Sequence, residues 1–306
     1  MDFYVELKKL LAREYNCSTS DFDGTANVVT VSTGNRGRRY SEDGAFFSMA
    51  TLGANCVITA DERMQPFLRE FVKRGEQGHW LFEAEKLVDL ERELNRFGYG
   101  LHRPGPHHMY LPRYDVDLPM KFPIKLLAGL DSFKRFYGDP RFKNALCGEY
   151  SPERPDVIAL IAMDGDEIMG MAGASRDYTS DVEGAPSWLQ IGVDVLPEYR
   201  GRGVGTFLVN ELKNIVLKSG DIPFYGTAPA NLHSQNIALN CGFRPAWVEI
   251  SSEKKDRKIT EDKEQNTADK PELPKPDETS DTKTWVDDMK QELEDYIEEQ
   301  GIYIRQ

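Results

Sequence analysis

Phe3, Leu7, Leu10 and Leu11 recur at three- and four-residue spacing among charged neighbours, so residues 2–15 are expected to open the chain as a helix. Two short β-like runs follow at 45–51 and 55–59, separated by Gly53. Asp61 is suited to cap a helix reaching about residue 73, with Met64, Phe67, Leu68 and Phe71 on one face. A second helix is patterned from about 84 to 97, with Leu87, Leu90, Leu94 and Phe97 inward and Gly98 as its terminator. His102, His107 and His108 stand in a proline-marked loop leading into a strand at 109–112. Residues 1–118 therefore read as a mixed α/β domain.

Pro119 and Pro123 mark the passage to a second domain over 119–250. An apolar run at 124–127 precedes two helical segments, 132–137 and 140–146. The runs 157–163 and 167–174 flank Asp164-Gly165-Asp166, turn chemistry that predicts a hairpin. A polar loop at 179–186 leads to a strand at 188–195. Next, Val204, Phe207, Leu208, Leu212, Ile215 and Val216 make one apolar stripe on a helix ending at Gly220, a core-facing pattern. A strand at 224–227, a helix capped by Asn231 and stopped by Gly242, and a strand at 243–248 complete the domain.

Beyond residue 250 the pattern fails. Residues 251–283 are dense in Lys, Glu, Asp, Thr and Pro with almost no apolar positions, the composition of a disordered linker. Periodicity returns over 284–306, where Trp285, Val286, Met289, Leu293, Tyr296 and Ile297 line one side of an amphipathic helix. That helix either docks on its own domain or offers a surface to a protein partner.

Composition narrows the function. With 51 acidic against 38 basic residues the formal net charge is −13, which argues against nucleic acid or an anionic membrane as partner. The first residues lack the order of a signal peptide, and no run approaches the roughly 18 apolar residues of a membrane span. Cys17, Cys56, Cys147 and Cys241 are scattered without a CxxC pair, as expected of thiols in a reducing, cytoplasmic setting. The three histidines have no carboxylate or cysteine at ligand spacing, so no metal site is expected. Arg36, Arg38 and Arg39 lie in a glycine-rich stretch read as a solvated loop.

The most chemical stretch is Glu198-Tyr199-Arg200-Gly201-Arg202-Gly203-Val204-Gly205, between a predicted strand and a predicted helix. Alternate glycines let the backbone turn sharply and leave N–H groups uncovered at a helix start, a socket for a diphosphate, and two arginines add positive charge. The dinucleotide pattern G-x-G-x-x-G fails, because Thr206 and Leu208 occupy the sixth positions. The P-loop pattern fails for want of a following lysine.

Arg200-x-x-Gly203-x-Gly205 follows Val193-x-Val195-x-Pro197 and precedes an amphipathic helix, with Asn231-x-x-Ser234 and Gly242-Phe243 downstream. This resembles the acetyl-CoA loop, [QR]-x-x-G-x-[GA], of the GNAT superfamily of N-acetyltransferases. The resemblance covers about residues 119–250. The whole chain also resembles members with an extra N-terminal α/β region, containing a run like Gly78-His79-Trp80-Leu81-Phe82-Glu83, and a charged tail. It implies an α/β (α+β) fold, a mixed sheet flanked by helices and preceded by a smaller mixed α/β domain. It further implies that Val193 and Val195, on a strand splayed from its neighbour, bind pantetheine through their backbones. Gly201, Arg202, Gly203, Val204, Gly205 and Thr206 would hold the diphosphate through their N–H groups, Arg200 and Arg202 would add charge, and Asn231 would lie beside the pantetheine or thioester.

The activity so implied is transfer of acetyl from acetyl-CoA to a primary amine of a small molecule or peptide. Two departures stand out. Leu189 occupies the position of the strand glutamate that serves many members as base, and Ala238 that of the tyrosine that serves as acid. Gln190, Asp194, Tyr225, His233 and Ser234 are the polar neighbours that remain, none singled out. The alternative is therefore a CoA-binding regulatory or scaffold protein without turnover.

Overall fold

The computed structural model describes residues 2–33, 46–73, 77–102, 105–119, 121–178 and 185–255. The arginine-rich stretch at 36–39 and the helix expected over 284–306 lie outside them.

Helix α1 (Phe3–Glu14) starts at Asp2, whose carboxylate accepts from the N–H groups of Tyr4 and Val5. Strands β1 (Val28–Val31), β2 (Phe47–Thr51) and β3 (Cys56–Ala60) follow. Asp61 caps a short 3-10 turn that passes into α2 (Gln65–Lys73), and α3 (Ala84–Asn95) ends before Gly98, as the pattern predicts. Then come β4 (Tyr99–Leu101), β5 (His107–Pro112), β6 (Ile124–Ala128) and α4 (Leu130–Phe133). The hairpin of β7 (Asp156–Asp164) and β8 (Glu167–Tyr178) turns at Gly165. β9 (Trp188–Val195), α5 (Val204–Lys218), β10 (Ile222–Thr227), α6 (Leu232–Asn240) and β11 (Phe243–Lys254) complete the order.

Three expectations change. The N-terminal strands do not build a separate sheet: among the described residues one sheet runs β1-β3-β2-β11-β5-β10-β9-β8-β7-β6, with β4 also on β11. The cause lies in pairing. β5 sits between β10 and β11, antiparallel to both, and β11 in turn carries β2. Secondly, β11 runs to Lys254, past the start assigned to the linker, because Ser251–Lys254 carries ladder partners on β2 and β4. Thirdly, only Pro140–Phe142 of the expected 140–146 helix forms, as a 3-10 turn.

The packing follows the sheet. Leu7, Leu10 and Leu11 of α1 share a core with Trp188, Phe224 and Trp247, so the first helix covers strands of the second half. α5 buries Val204, Phe207, Leu208, Leu212, Ile215 and Val216, the predicted stripe, against β7, β8 and β10. α2 and α3 cover β2 and β3 through Leu68, Phe71, Leu90 and Leu94. The segment after β6 places Phe133 and Phe142 against β7 and β8.

Candidate active site

β9 and β10 run parallel only as far as the pair Ile191–Tyr225. Beyond it β9 stays with β8, while Gly226 and Thr227 of β10 pair with Met109 and His108 of β5. The two central strands therefore part, and a cleft of 1180 Å³ opens between them.

The ladder sets what faces that gap. The N–H of Leu196 bonds to the carbonyl of Met169 at 3.0 Å, with Val195 opposite Gly170 and Val193 opposite Ala172. Alternation along an antiparallel pair then turns the peptide groups of Val193 and Val195 away from β8, toward the side that β10 has left. The carbonyl of Val195 accepts from Arg200 Nε at 3.0 Å, which ties the glycine loop to the strand end.

At the loop's far end α5 begins. Gly203 is its N-cap at φ +87°, a left-handed conformation that an L side chain resists, and it offers no side chain to cap the first turn. The first N–H groups of α5 thus open on the cleft beside Arg200, with the positive end of the helix dipole. Lys121 Nζ lies 3.7 Å from the position a Cβ on Gly203 would take, a cation the motif does not contain.

The floor is held by a second close approach. Gly173 and Gly192 face each other across β8 and β9. A Cβ on Gly192 would lie 1.7 Å from the carbonyl oxygen of Asn144, and one on Gly173 would lie 2.1 Å from that of Ala145. Asp194 fastens the same segment: its carboxylate accepts from the N–H groups of Asn144 and Ala145 at 2.7 and 2.9 Å and from Asn144 Nδ2 at 2.5 Å. That work makes Asp194 a structural anchor.

The predicted residues fall together. Val193, Val195, Arg200, Gly201, Gly203, Val204, Gly205, Thr206 and Asn231 all line the cleft. Arg202 does not; its guanidinium lies 5.2 Å over the ring of Tyr199. Asn231 also caps α6, its Oδ1 accepting from the N–H of Ser234 at 3.2 Å. Leu189 and Ala238 are wholly buried, so neither position meets the cleft. Of the polar neighbours, Gln190, Tyr225, His233 and Ser234 line it. Tyr225 Oη and Ser234 Oγ are 2.8 Å apart, and burial pushes the phenol up to about 12.

Residues from outside the motif complete the cleft. His107 of β5 reaches it, and burial lowers its pKa; its Nδ1 donates to the carbonyl of Gly105 at 3.1 Å. Cys147 lines it too, its thiol raised first by burial and then by Asp156. Arg154 joins Gln190, Nη2 to Oε1 at 2.5 Å. No local signal marks these residues, because only the sheet brings them to β9. His102 and His107 have ring centroids 6.2 Å apart, and no group of three or more His, Cys, Asp and Glu suited to a metal occurs among the described residues. None of the described helices is long and apolar enough to cross a membrane.

The parting strands and the uncapped, glycine-started helix thus leave strand peptide groups and helix N–H groups open on one cleft. Residues 130–243 match the model of the Acetyltransferase (GNAT) family, so the chain carries a GNAT acetyltransferase domain, with an additional N-terminal region before it. Among curated proteins none matches the chain. Solved structures do. A GNAT-family protein from Novosphingobium aromaticivorans DSM 12444 is 18% identical over 51% of this chain and 66% of its own, with a TM-score of 0.39. A GCN5-related N-acetyltransferase-like protein from Streptococcus suis 89/1591 is 18% identical over 56% of this chain and 68% of its own, with a TM-score of 0.39. The chain thus spans about two thirds of the length of each. An aminoglycoside N-acetyltransferase solved in complex with CoA is 21% identical over 46% of this chain and 99% of its own, with a TM-score of 0.29.

Proposed function

We propose that the chain is an N-acetyltransferase that moves the acetyl group of acetyl-CoA to a primary amine of a small molecule or peptide, by direct attack in a ternary complex. The observation that carries this reading is the continuity of the cleft: from the open N-terminus of α5, past Arg200, along the outward-facing peptide groups of Val195 and Val193, to the point where β9 and β10 part. An extended pantetheine arm fits that strip as an added strand, with its diphosphate on the helix end. The N–H groups from Gly201 to Thr206 hold the diphosphate, Arg200 and Lys121 neutralise it, and Asn231 flanks the arm.

The reaction needs a neutral amine, an oriented carbonyl and a proton for the thiolate. The amine nitrogen bonds to the thioester carbon, the C–S bond breaks with its electron pair on sulfur, and the nitrogen loses a proton to solvent. Tyr225, which lines the cleft at the fork of the strands with its hydroxyl 2.8 Å from Ser234 Oγ, is the donor we assign to the departing thiolate.

Calorimetry with acetyl-CoA, followed by thiol release across an amine library, tests the reading. Gly203→Glu introduces a side chain at positive φ and a carboxylate at the diphosphate site, and is expected to abolish binding. Retained affinity would move the site elsewhere.

A second reading, a CoA-binding module without turnover, is favoured by the burial of Leu189 and Ala238 where better-known members carry base and acid. Sustained thiol release with any amine excludes it.

A further inference from the structure

We infer that Ser175 and Asp156 form the proton relay of the transfer: Ser175 Oγ takes the proton of the attacking amine while its own proton passes to Asp156. This relay rests on the acetyl-transfer reading of the cleft, and it stands at the end opposite α5.

Ser175 lies on β8 opposite Gln190 of β9, and Gln190 directly precedes Ile191, the last residue of β9 paired with β10. The serine thus flanks the point where a pantetheine arm laid along Val195 and Val193 would bring its thioester. Ser175 and Asp156 are both buried, yet of the two only the serine lines the cleft. Behind the wall Ser175 Oγ donates to Asp156 Oδ1 at 2.7 Å. A hydroxyl has one proton and two acceptor positions. Cys147 Sγ, 3.5 Å away, takes at most one of the two, which leaves the other for a donor in the cleft. A carboxylate set behind the wall therefore reaches the cleft through this oxygen.

The other groups at hand suit the task less well. Leu189, at the strand position of the missing glutamate, is buried and apolar. Among the described residues the carboxylate that lines the cleft is Asp194, whose two oxygens serve Asn144 and Ala145. Burial above all raises the Asp156 carboxyl over its ordinary value, despite the bonds from Ser175 and the Cys147 N–H, and a more basic carboxylate accepts a proton more readily. Tyr137 and Cys147 also face it. Burial, and then Asp156 itself, push both of them up, so neither loses a proton where the carboxyl titrates. In the step, the amine nitrogen bonds to the thioester carbon and its N–H bond breaks toward Ser175 Oγ, whose O–H bond breaks toward Asp156 Oδ1. The C–S pair leaves on sulfur and takes the Tyr225 proton. When the amide departs, Asp156 returns its proton along the same path to solvent, the final acceptor.

The test measures kcat by thiol release from saturating acetyl-CoA on the full chain, across pH, with ethylamine, phenethylamine, alanine and spermidine as acceptor probes. Asp156→Asn and Ser175→Ala should each lower kcat by about 10²-fold, with acetyl-CoA affinity by calorimetry unchanged. The double variant should fall no further, because members of one relay do not act additively. In the unmodified protein activity should be lost at the acid side as Asp156 takes up a proton, and Asp156→Asn should lack that limb. Ser175→Ala needs no new space and keeps the carboxylate, so it tests the relay even where the asparagine variant does not fold. An undiminished kcat in a folded variant, additive losses, or an acid limb surviving in Asp156→Asn, as His107 or His233 would give, would overturn the relay alone. Absence of acetyl-CoA binding, or of thiol release with every probe, would instead overturn the acetyl-transfer reading beneath it.

Discussion

Asp156 is a buried carboxylate beside the cleft, accepting from Ser175 Oγ at 2.7 Å and from the N–H of Cys147 at 3.1 Å. Burial outweighs these bonds and raises its pKa above 3.8. The folded state therefore holds this proton more tightly than the unfolded chain does. The stabilisation this brings is complete below pH 3.8 and is lost as pH rises through the raised folded value. Asp156→Asn keeps an acceptor but cannot titrate. The stability difference, wild type minus variant, should accordingly fall with rising pH across that window in urea titrations; a flat difference would show that Asp156 is not desolvated. Tyr225 supports a second prediction. Tyr225→Phe keeps the ring packed near Phe243, at 6.1 Å between centroids, and removes only the hydroxyl. If that hydroxyl protonates the thiolate, kcat falls by about 10²-fold with acetyl-CoA affinity unchanged. An undiminished kcat would assign the proton to solvent.

At the scale of elements, what could be read from the chain is what depends on neighbours in sequence. The Asp-Gly-Asp turn, the Asp61 cap, the α5 stripe and the loop from Arg200 to Gly205 are local chemistry, and each lies where its pattern places it. β1 carried no such mark, since three of its four residues are half-buried, Val31 is exposed, and the strand is completed by its pairing with β3. The rest of the cleft lining was equally hidden: Arg154, Cys147 and His107 reach it only through the sheet. Two glycines did carry a signal that periodicity cannot interpret. Gly173 and Gly192 leave room for the segment at Asn144 and Ala145 to lie flat on β8 and β9. Gly192→Ala forces a Cβ to 1.7 Å from the Asn144 carbonyl, so backbone has to move, at a cost of about 1–3 kcal/mol. A lowered urea midpoint at unchanged slope is expected; an unchanged midpoint would mean that the segment is not seated on the sheet.

The whole molecule turns on β5. Composition and prolines placed a boundary near residue 119, and the match to the GNAT family covers 130–243, so both suggest that the second half could stand alone. The sheet order argues otherwise. β5 lies on the N-terminal side of that boundary yet fills the gap between β10 and β11, exchanging ladder bonds with both. Removing it strands two edges in the middle of the sheet and uncovers their unpaired peptide groups. Removing α1 as well exposes Trp188, Phe224 and Trp247, whose packing with Leu7, Leu10 and Leu11 is apolar throughout. The fragment 119–250 should therefore fail to fold, whereas 1–255, which keeps every described strand, should unfold in a single transition. Circular dichroism and thermal melting of the two fragments decide the matter. If 119–250 melts cooperatively and binds acetyl-CoA, β5 is dispensable and the N-terminal region is an appendage; if it does not, the strand that carries His107 into the cleft is also part of what holds the cleft open.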